Sequence, residues 1–107
     1  MAVTVVGSVA YDTIEVKEHV EERILGGSGT FFSIACSKWQ ESKVIGIVGE
    51  DFNHIPYLKN QGINCDGIHV VNGGKSFFWH GRYTDDMSER ETIATELNVF
   101  ADFNPTI

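Results

Sequence analysis

Two short stretches hold the residues best suited to chemistry. In Gly7-Ser8-Val9-Ala10-Tyr11-Asp12, a β-branched apolar run ends in a carboxylate. Such a run reads as a strand buried on both faces of a parallel sheet, and those sheets gather ligands beyond the carboxyl ends of their strands. Asp12 placed there can accept hydrogen bonds from a ligand's hydroxyls; its other reading is a turn cap, a role Asp strongly favours. The second stretch, Gly26-Gly27-Ser28-Gly29, stands before an apolar segment with helical spacing. Glycines allow close approach to the backbone, and free amides at a helix start favour oxygen-rich groups. Its other reading is a flexible turn with Ser28 as the helix cap.

Other patterns fail on spacing. Gly73-Gly74-Lys75-Ser76 looks like the end of a phosphate-binding loop, but His69 stands where the first glycine is needed and a β-rich run follows instead of a helix. Gly27-Ser28-Gly29 begins a dinucleotide fingerprint whose third glycine position holds Phe32. Asn104-Pro105-Thr106 carries the proline that forbids glycosylation. The four histidines, His19, His54, His69 and His80, lie neither at helical pair spacing nor beside paired cysteines, so no metal site is expected.

The elements that must position these residues follow from the hydrophobic pattern. Val3 to Val9 is a core strand, and Thr13 to Lys17 alternates as a half-exposed strand that turns at Glu18-His19 into a second, Val20 to Leu25. In the helix after the glycines, Phe32, Ala35, Cys36 and Trp39 form one apolar stripe. Lys43 to Val48 is a second core strand. Asp51 or Asn53 is placed to cap a short helix that accepts Pro56 in its first turn and stops at Gly62. Cys65 to Val71 is a third core strand. Beyond the Asn72-Gly73-Gly74 turn, Ser76 to Tyr83 alternates, with Phe77, Trp79 and Tyr83 on one face and Phe78, His80 and Arg82 on the other. Thr84-Asp85-Asp86 turns the chain into a further strand, Glu91 to Leu97, and Asn104-Pro105-Thr106 resembles a helix entry. Strand and helix alternation predicts an α/β sheet with right-handed connections. Two helices are too few to cover both faces of such a sheet, so the open surface is expected to be closed by dimerisation or by further chain.

The totals narrow the partners. The 107 residues suit one domain, and 42% hydrophobic with 21% charged is ordinary for a globular chain. A formal net charge of −7, with scattered Lys and Arg, argues against a nucleic-acid partner. No apolar run is long enough to cross a bilayer, so no membrane partner is expected. No basic leader opens the chain at Met1-Ala2-Val3-Thr4, and Cys36 and Cys65 read as reduced structural thiols, which together place the protein in the cytoplasm.

Taken together, these segments resemble the start of the ribokinase-like (PfkB) carbohydrate and nucleoside kinases. The shared pattern is a strand ending Gly-Ser-x-x-x-Asp, a small β appendage, and Gly26-Gly27-Ser28-Gly29 opening a helix. Val48-Gly49-Glu50-Asp51-Phe52 is similar to the family's Val-Gly-x-Asp segment, and Tyr57-Leu58 with Gln61-Gly62-Ile63 to its helix exit. The stretches from Gly74 to Tyr83 and from Glu96 to Phe103 are similar to a bacterial branch of sugar kinases, so the resemblance spans essentially the whole chain.

The resemblance implies a ribokinase-like α/β fold: an incomplete parallel sheet with flanking helices plus a small β-lid, built from segments about 13–25 and 75–97 of a single 1–107 unit. It implies a sugar or nucleoside held by Asp12, Gly26, Gly27 and Ser28, with Phe31 beside them. Phe78, His80 and Arg82 on the lid strand are further candidates whose other reading is solvated lid surface or dimer seam. Where many members carry asparagines, this chain has Ala10 and Phe31, which implies a less polar pocket suited to a nucleoside or an aryl-bearing sugar. The resemblance implies ATP and Mg2+ as cofactors of the complete enzyme only. The family's Gly-Ala-Gly-Asp motif, which carries the catalytic base and anion hole, does not occur here. The expectation is therefore a substrate-binding and lid portion with no catalytic residue and no cofactor of its own, inactive alone and dimerising through the lid. The competing readings are a non-catalytic dimerising ligand-binding module and an unrelated small α/β binding domain.

Overall fold

The central run Val44-Ile45-Gly46-Ile47-Val48 has no polar residue, and the chain buries it as the middle strand of a three-stranded parallel sheet. A computed structural model describes residues 2–105. Its elements in order are β1 (Ala2–Val6), β2 (Ala10–Val16), β3 (His19–Gly26), α1 (Ser28–Ser37), β4 (Glu41–Gly49), α2 (Ile55–Asn60), β5 (Ile63–Val71), β6 (Phe77–Tyr83), β7 (Arg90–Glu96) and a 3-10 turn, Asn98–Asp102. The parallel sheet runs β1-β4-β5, and a second, mixed sheet runs β3-β2-β6-β7. Both are consistent with the α/β expectation. Met1 and Thr106, on which the leader and helix-entry readings partly rest, lie outside the described residues.

One core cluster ties the two sheets together. Val9 from the bend before β2 and Tyr11 from β2 pack with Val44, Val48, Phe52, Leu58, Ile63 and Cys65. The Tyr11 hydroxyl donates to the Asp51 carbonyl at 2.9 Å and accepts from the Asn53 amide at 3.2 Å, so the buried phenol is satisfied. Asp51 also crosses the junction: its Oδ1 accepts from the Ser76 amide at 2.9 Å and the Ser76 hydroxyl at 2.7 Å, and its Oδ2 from Arg23 at 3.1 Å. Neither Asp51 nor Asn53 caps α2, as the sequence led us to expect; that position falls to His54, which makes no side-chain cap. Asp51 is drawn away by three donors across the junction, a stronger claim than one cap. Pro56 in the first turn and Gly62 just past the end, at φ 85°, are as expected.

Three further expectations are corrected. The strand from Val3 does not continue to Asp12. It ends at Val6, the chain bends through Gly7-Ser8-Val9, and Asp12 lies inside β2 of the other sheet. In α1 the stripe Phe32, Ala35, Cys36, Trp39 is not the buried one; Gly29, Thr30 and Ser33 are, while Trp39 is 86% exposed. The small residues win because the Gly7–Val9 bend runs against the helix start, where the Gly29 amide meets the Ser8 carbonyl at 2.8 Å. A bulky side chain on that face would hold the backbones apart. The first-turn amides are also not free: Ser28 donates to the Ser8 hydroxyl at 2.9 Å, and Gly29 and Thr30 to the Ser8 carbonyl.

The second sheet is bent twice by bulges. Between Asp12 and Ile14 the β2–β3 register slips by one residue, with Arg23 at φ 49° and its amide donating to the Thr13 hydroxyl. The bulge sends the Arg23 guanidinium over the Tyr11 ring, 4.5 Å from its centroid, and on to Asp51. A matching slip between His80 and Gly81 displaces β7 near Ile93. The turn joining β6 to β7 closes on Asp86, whose carboxylate accepts from Ser88 and Thr84; these hydrogen bonds hold its pKa at about 2.

Candidate functional site

The register of β2 with β6 decides which side chains surround Asp12. Asp12 pairs with Trp79, Ala10 with Phe77 and Val16 with Tyr83, so these residues share one face of the sheet. That face looks across a cleft of about 560 Å³ toward the start of α1. Ser8, Gly27, Ser28 and Phe31 line it near the start of α1, and Asp12, Phe77, Trp79, Tyr83 and Arg90 line it from the sheet. Its size is that of small-molecule sites in general.

Asp12 owes its seat to two glycines. A Cβ on Gly26 would overlap the Asp12 carboxylate, and Gly27, at φ 98°, packs so closely on the Ser8 carbonyl that a side chain there would collide with it. The Gly-Gly pair therefore shapes the site by making room for the carboxylate and for the turn into α1. Burial raises the Asp12 pKa above its ordinary value, and among the described residues no hydrogen bond counteracts that rise. A half-buried carboxylate of this kind gains from any ligand hydroxyl that donates to it. Ser8 and Ser28 add two hydroxyls, 3.2 Å from each other at the same mouth. Phe31, 57% exposed, extends from the first turn of α1 over the cleft.

Phe78, His80 and Arg82 share one face of β6, as the alternation predicts, and it is the face opposite Asp12. They pair with Tyr11, Thr13 and Glu15 and so face away from Asp12. Phe78 packs on the core cluster and borders a separate cleft of about 490 Å³ with Arg23, Asp51 and Lys75. His80 Nε2 lies 2.7 Å from Glu15 Oε2, and an Arg82 nitrogen lies 3.6 Å from the same oxygen. Asp12, Gly26, Gly27, Ser28 and Phe31 are thus gathered at one place, and the three β6 candidates are not. The side chains that sequence reasoning passed over are Phe77, Trp79 and Tyr83, on the opposite parity of the same strand. Strand alternation separates the two sets, but only the pairing with β2 tells which set meets Asp12. Among the described residues no cluster of His, Cys, Asp and Glu suits a metal ion, and no helix is long and apolar enough to cross a membrane.

No family model matches the sequence, and no curated protein does. Solved structures do match in fold. The nucleoside kinase of Methanocaldococcus jannaschii, an archaeal member of the ribokinase family, superposes with a TM-score of 0.77 at 19% identity over 99% of this chain and 41% of its own. The Burkholderia thailandensis nucleoside kinase in complex with inosine gives 0.79 at 17% identity, over 95% of this chain and 38% of that one. The Cryptococcus neoformans ribokinase in complex with ADP gives 0.66 at 19% identity, over 91% and 34%. The chain thus has a ribokinase-like fold and spans about two fifths or less of these kinases.

Proposed function

We propose that this chain is the substrate-binding and lid portion of an ATP-dependent kinase that phosphorylates a hydroxyl of a sugar or nucleoside. The observation that carries this reading is Asp12, a half-buried carboxylate with no hydrogen bond among the described residues to relieve its burial, facing a cleft between α1 and the second sheet in a ribokinase-like fold. In this role Asp12 accepts hydrogen bonds from substrate hydroxyls, Ser8 and Ser28 add polar contacts, and the mixed sheet acts as the lid. Phe31 covers the apolar part of the substrate. Phosphoryl transfer depends on charge stabilisation of the transferred group and on positioning of ATP and Mg2+. No residue of this chain is assigned to those tasks, so the chain alone is expected to bind substrate without turning it over.

Calorimetric titration of the protein with ribose and with inosine tests the binding. Asp12→Asn, which keeps the shape and removes the charge, is expected to weaken both by about tenfold or more, the scale of a lost charged hydrogen bond. Unchanged affinity in that variant would refute the assignment of Asp12, and phosphoryl transfer by the isolated chain would refute the inactivity.

A second reading, a dimerising module, is favoured by the exposed apolar side chains of the second sheet and its connections, among them Val20, Ile24, Met87, Ile93 and Leu97. Pairing of two lids would cover them. Sedimentation of the protein as a monomer at high concentration would remove this reading and leave the first untouched.

A further inference from the structure

The aromatic side of the cleft carries more organisation than sugar hydroxyls require. Trp79 stands beside Asp12 by register, and its indole folds back along β6 so that the benzo end lies against Gly81, where a Cβ would overlap the ring. The indole nitrogen donates to the Thr92 hydroxyl at 3.3 Å, which the bulge in β7 brings into reach. The Tyr83 ring meets the indole edge-on at 6.4 Å between centroids, and the Arg90 guanidinium lies over the indole, 5.6 Å from its centroid. Four neighbours thus fix an aromatic ring that remains half-buried at the cleft. Phe31 supplies a second aromatic surface to the same cleft from the helix side. A ring held this firmly loses little freedom when a flat ligand stacks on it.

We propose that Trp79 is a specificity-determining residue that stacks the planar base of a nucleoside while Asp12 holds its sugar hydroxyls; this rests on the sugar- and nucleoside-binding reading of the same cleft. The polar groups at the mouth, Asp12, Ser8 and Ser28, suffice for a sugar ring, and a sugar alone leaves the large aromatic surface without an apolar partner. A hydroxylated ring joined to a heteroaromatic base satisfies both halves. Gly81 is part of the device, since any side chain there lifts the indole from its seat.

Inosine and ribose, titrated separately by calorimetry, distinguish the possibilities. The expected result is tighter binding of inosine than of ribose. Trp79→Ala should weaken inosine by about tenfold or more, in line with base-stacking losses, and change ribose by less than about twofold. Gly81→Ala, which keeps the indole and unseats it, should reproduce the same split. A fluorescence readout avoids disturbing the sheet. In Trp39→Phe protein the remaining indole is Trp79, because the chain has two tryptophans and Trp39 is exposed. Its emission should respond to inosine and not to ribose. Equal losses for both ligands in Trp79→Ala, or unchanged inosine affinity with a silent indole, overturn the proposal while Asp12 still binds sugar. Absence of binding by either ligand to the unaltered protein, or indifference of both to Asp12→Asn, overturns the underlying reading and this proposal with it.

Discussion

In the parallel sheet, β4 buries Val44, Ile45, Ile47 and Val48, and Leu58 from α2 and Ile63 from β5 pack with Val44 and Val48 in one cluster. In the mixed sheet, β3 is exposed from His19 through Ile24 and β7 is exposed at all but one position. The first sheet is held by burial of apolar area. The second is held by directional contacts at its root: Asp51 with Ser76 and Arg23, and Tyr11 with the Asp51–Asn53 backbone. On the proposed reading, stability rests mainly on the parallel sheet and ligand binding on the mixed one, and substitutions should separate them.

The largest effect is expected in the parallel sheet. Leu58, 1% exposed, contacts the centre of the core cluster. Leu58→Ala should lower the unfolding free energy by about 2–5 kcal/mol. Ile93→Ala, at an exposed position of β7, should change it by less than about 0.5 kcal/mol. Urea denaturation of the two variants measures the contrast; comparable losses would mean that the exposed outer strand of the second sheet bears as much of the stability as the shared core cluster.

The junction comes next. Asp51→Ala leaves the Ser76 hydroxyl and amide without their acceptor in a partly buried place, at a cost of about 1–3 kcal/mol. Because the link joins the sheets and not the core, amide exchange should quicken in β6 and β7 more than in β4. Uniform acceleration would show that the second sheet has no separate opening motion.

These contrasts also account for what could be read from the sequence. The β-branched run of β4, the Pro56 and Gly62 boundaries of α2, and the alternation of β6 are local patterns, and the elements stand where those patterns put them. The failures are all non-local. Nothing in Val3 to Asp12 announces that Gly7-Ser8-Val9 carries the chain from one sheet to the other. The hydrophobic spacing of α1 points to Phe32 and Trp39, whereas close backbone approach selected Gly29, Thr30 and Ser33 for the interior. Alternation divides β6 into two faces but assigns neither to the ligand; the parallel pairing with β2, across more than sixty residues of sequence, does so. Asp51 could be recognised as polar and near a helix start, yet its partners Arg23 and Ser76 are each some twenty-five residues away.

Gly26→Ala bears on the ligand face alone. The new methyl would overlap the Asp12 carboxylate, which must rotate or shift toward the cleft. A few-fold to tenfold loss of ribose and inosine affinity is expected, on the scale of a weakened charged hydrogen bond. The unfolding midpoint should move much less than in Leu58→Ala. A stability loss as large as that of Leu58→Ala would mean that the glycine serves the core.

The smallest effect concerns the same carboxylate and has an opposite sign for the two properties. Burial raises the Asp12 pKa in the folded chain above the unfolded value near 3.8, so the folded protein holds this proton more tightly. The contribution of Asp12 therefore favours folding at low pH and declines as pH rises from about 3.8 through the raised folded value; above it the ionised group exerts its full penalty. Asp12→Asn removes that penalty. At neutral pH the variant should be slightly more stable than the parent, by well under about 1 kcal/mol, since much of the group still touches water. The gain should vanish toward pH 4, as the parent's carboxylate takes up its proton. Binding should follow the reverse course, because in the proposed role the charge that burdens the fold is the one that accepts hydrogen bonds from the ligand's hydroxyls. Denaturation curves of parent and variant at neutral pH and near pH 4, set beside the ribose titrations, test both signs. A variant that is less stable than the parent at neutral pH would show that Asp12 supports the fold, and the division of labour between the sheets would fail at its most informative residue.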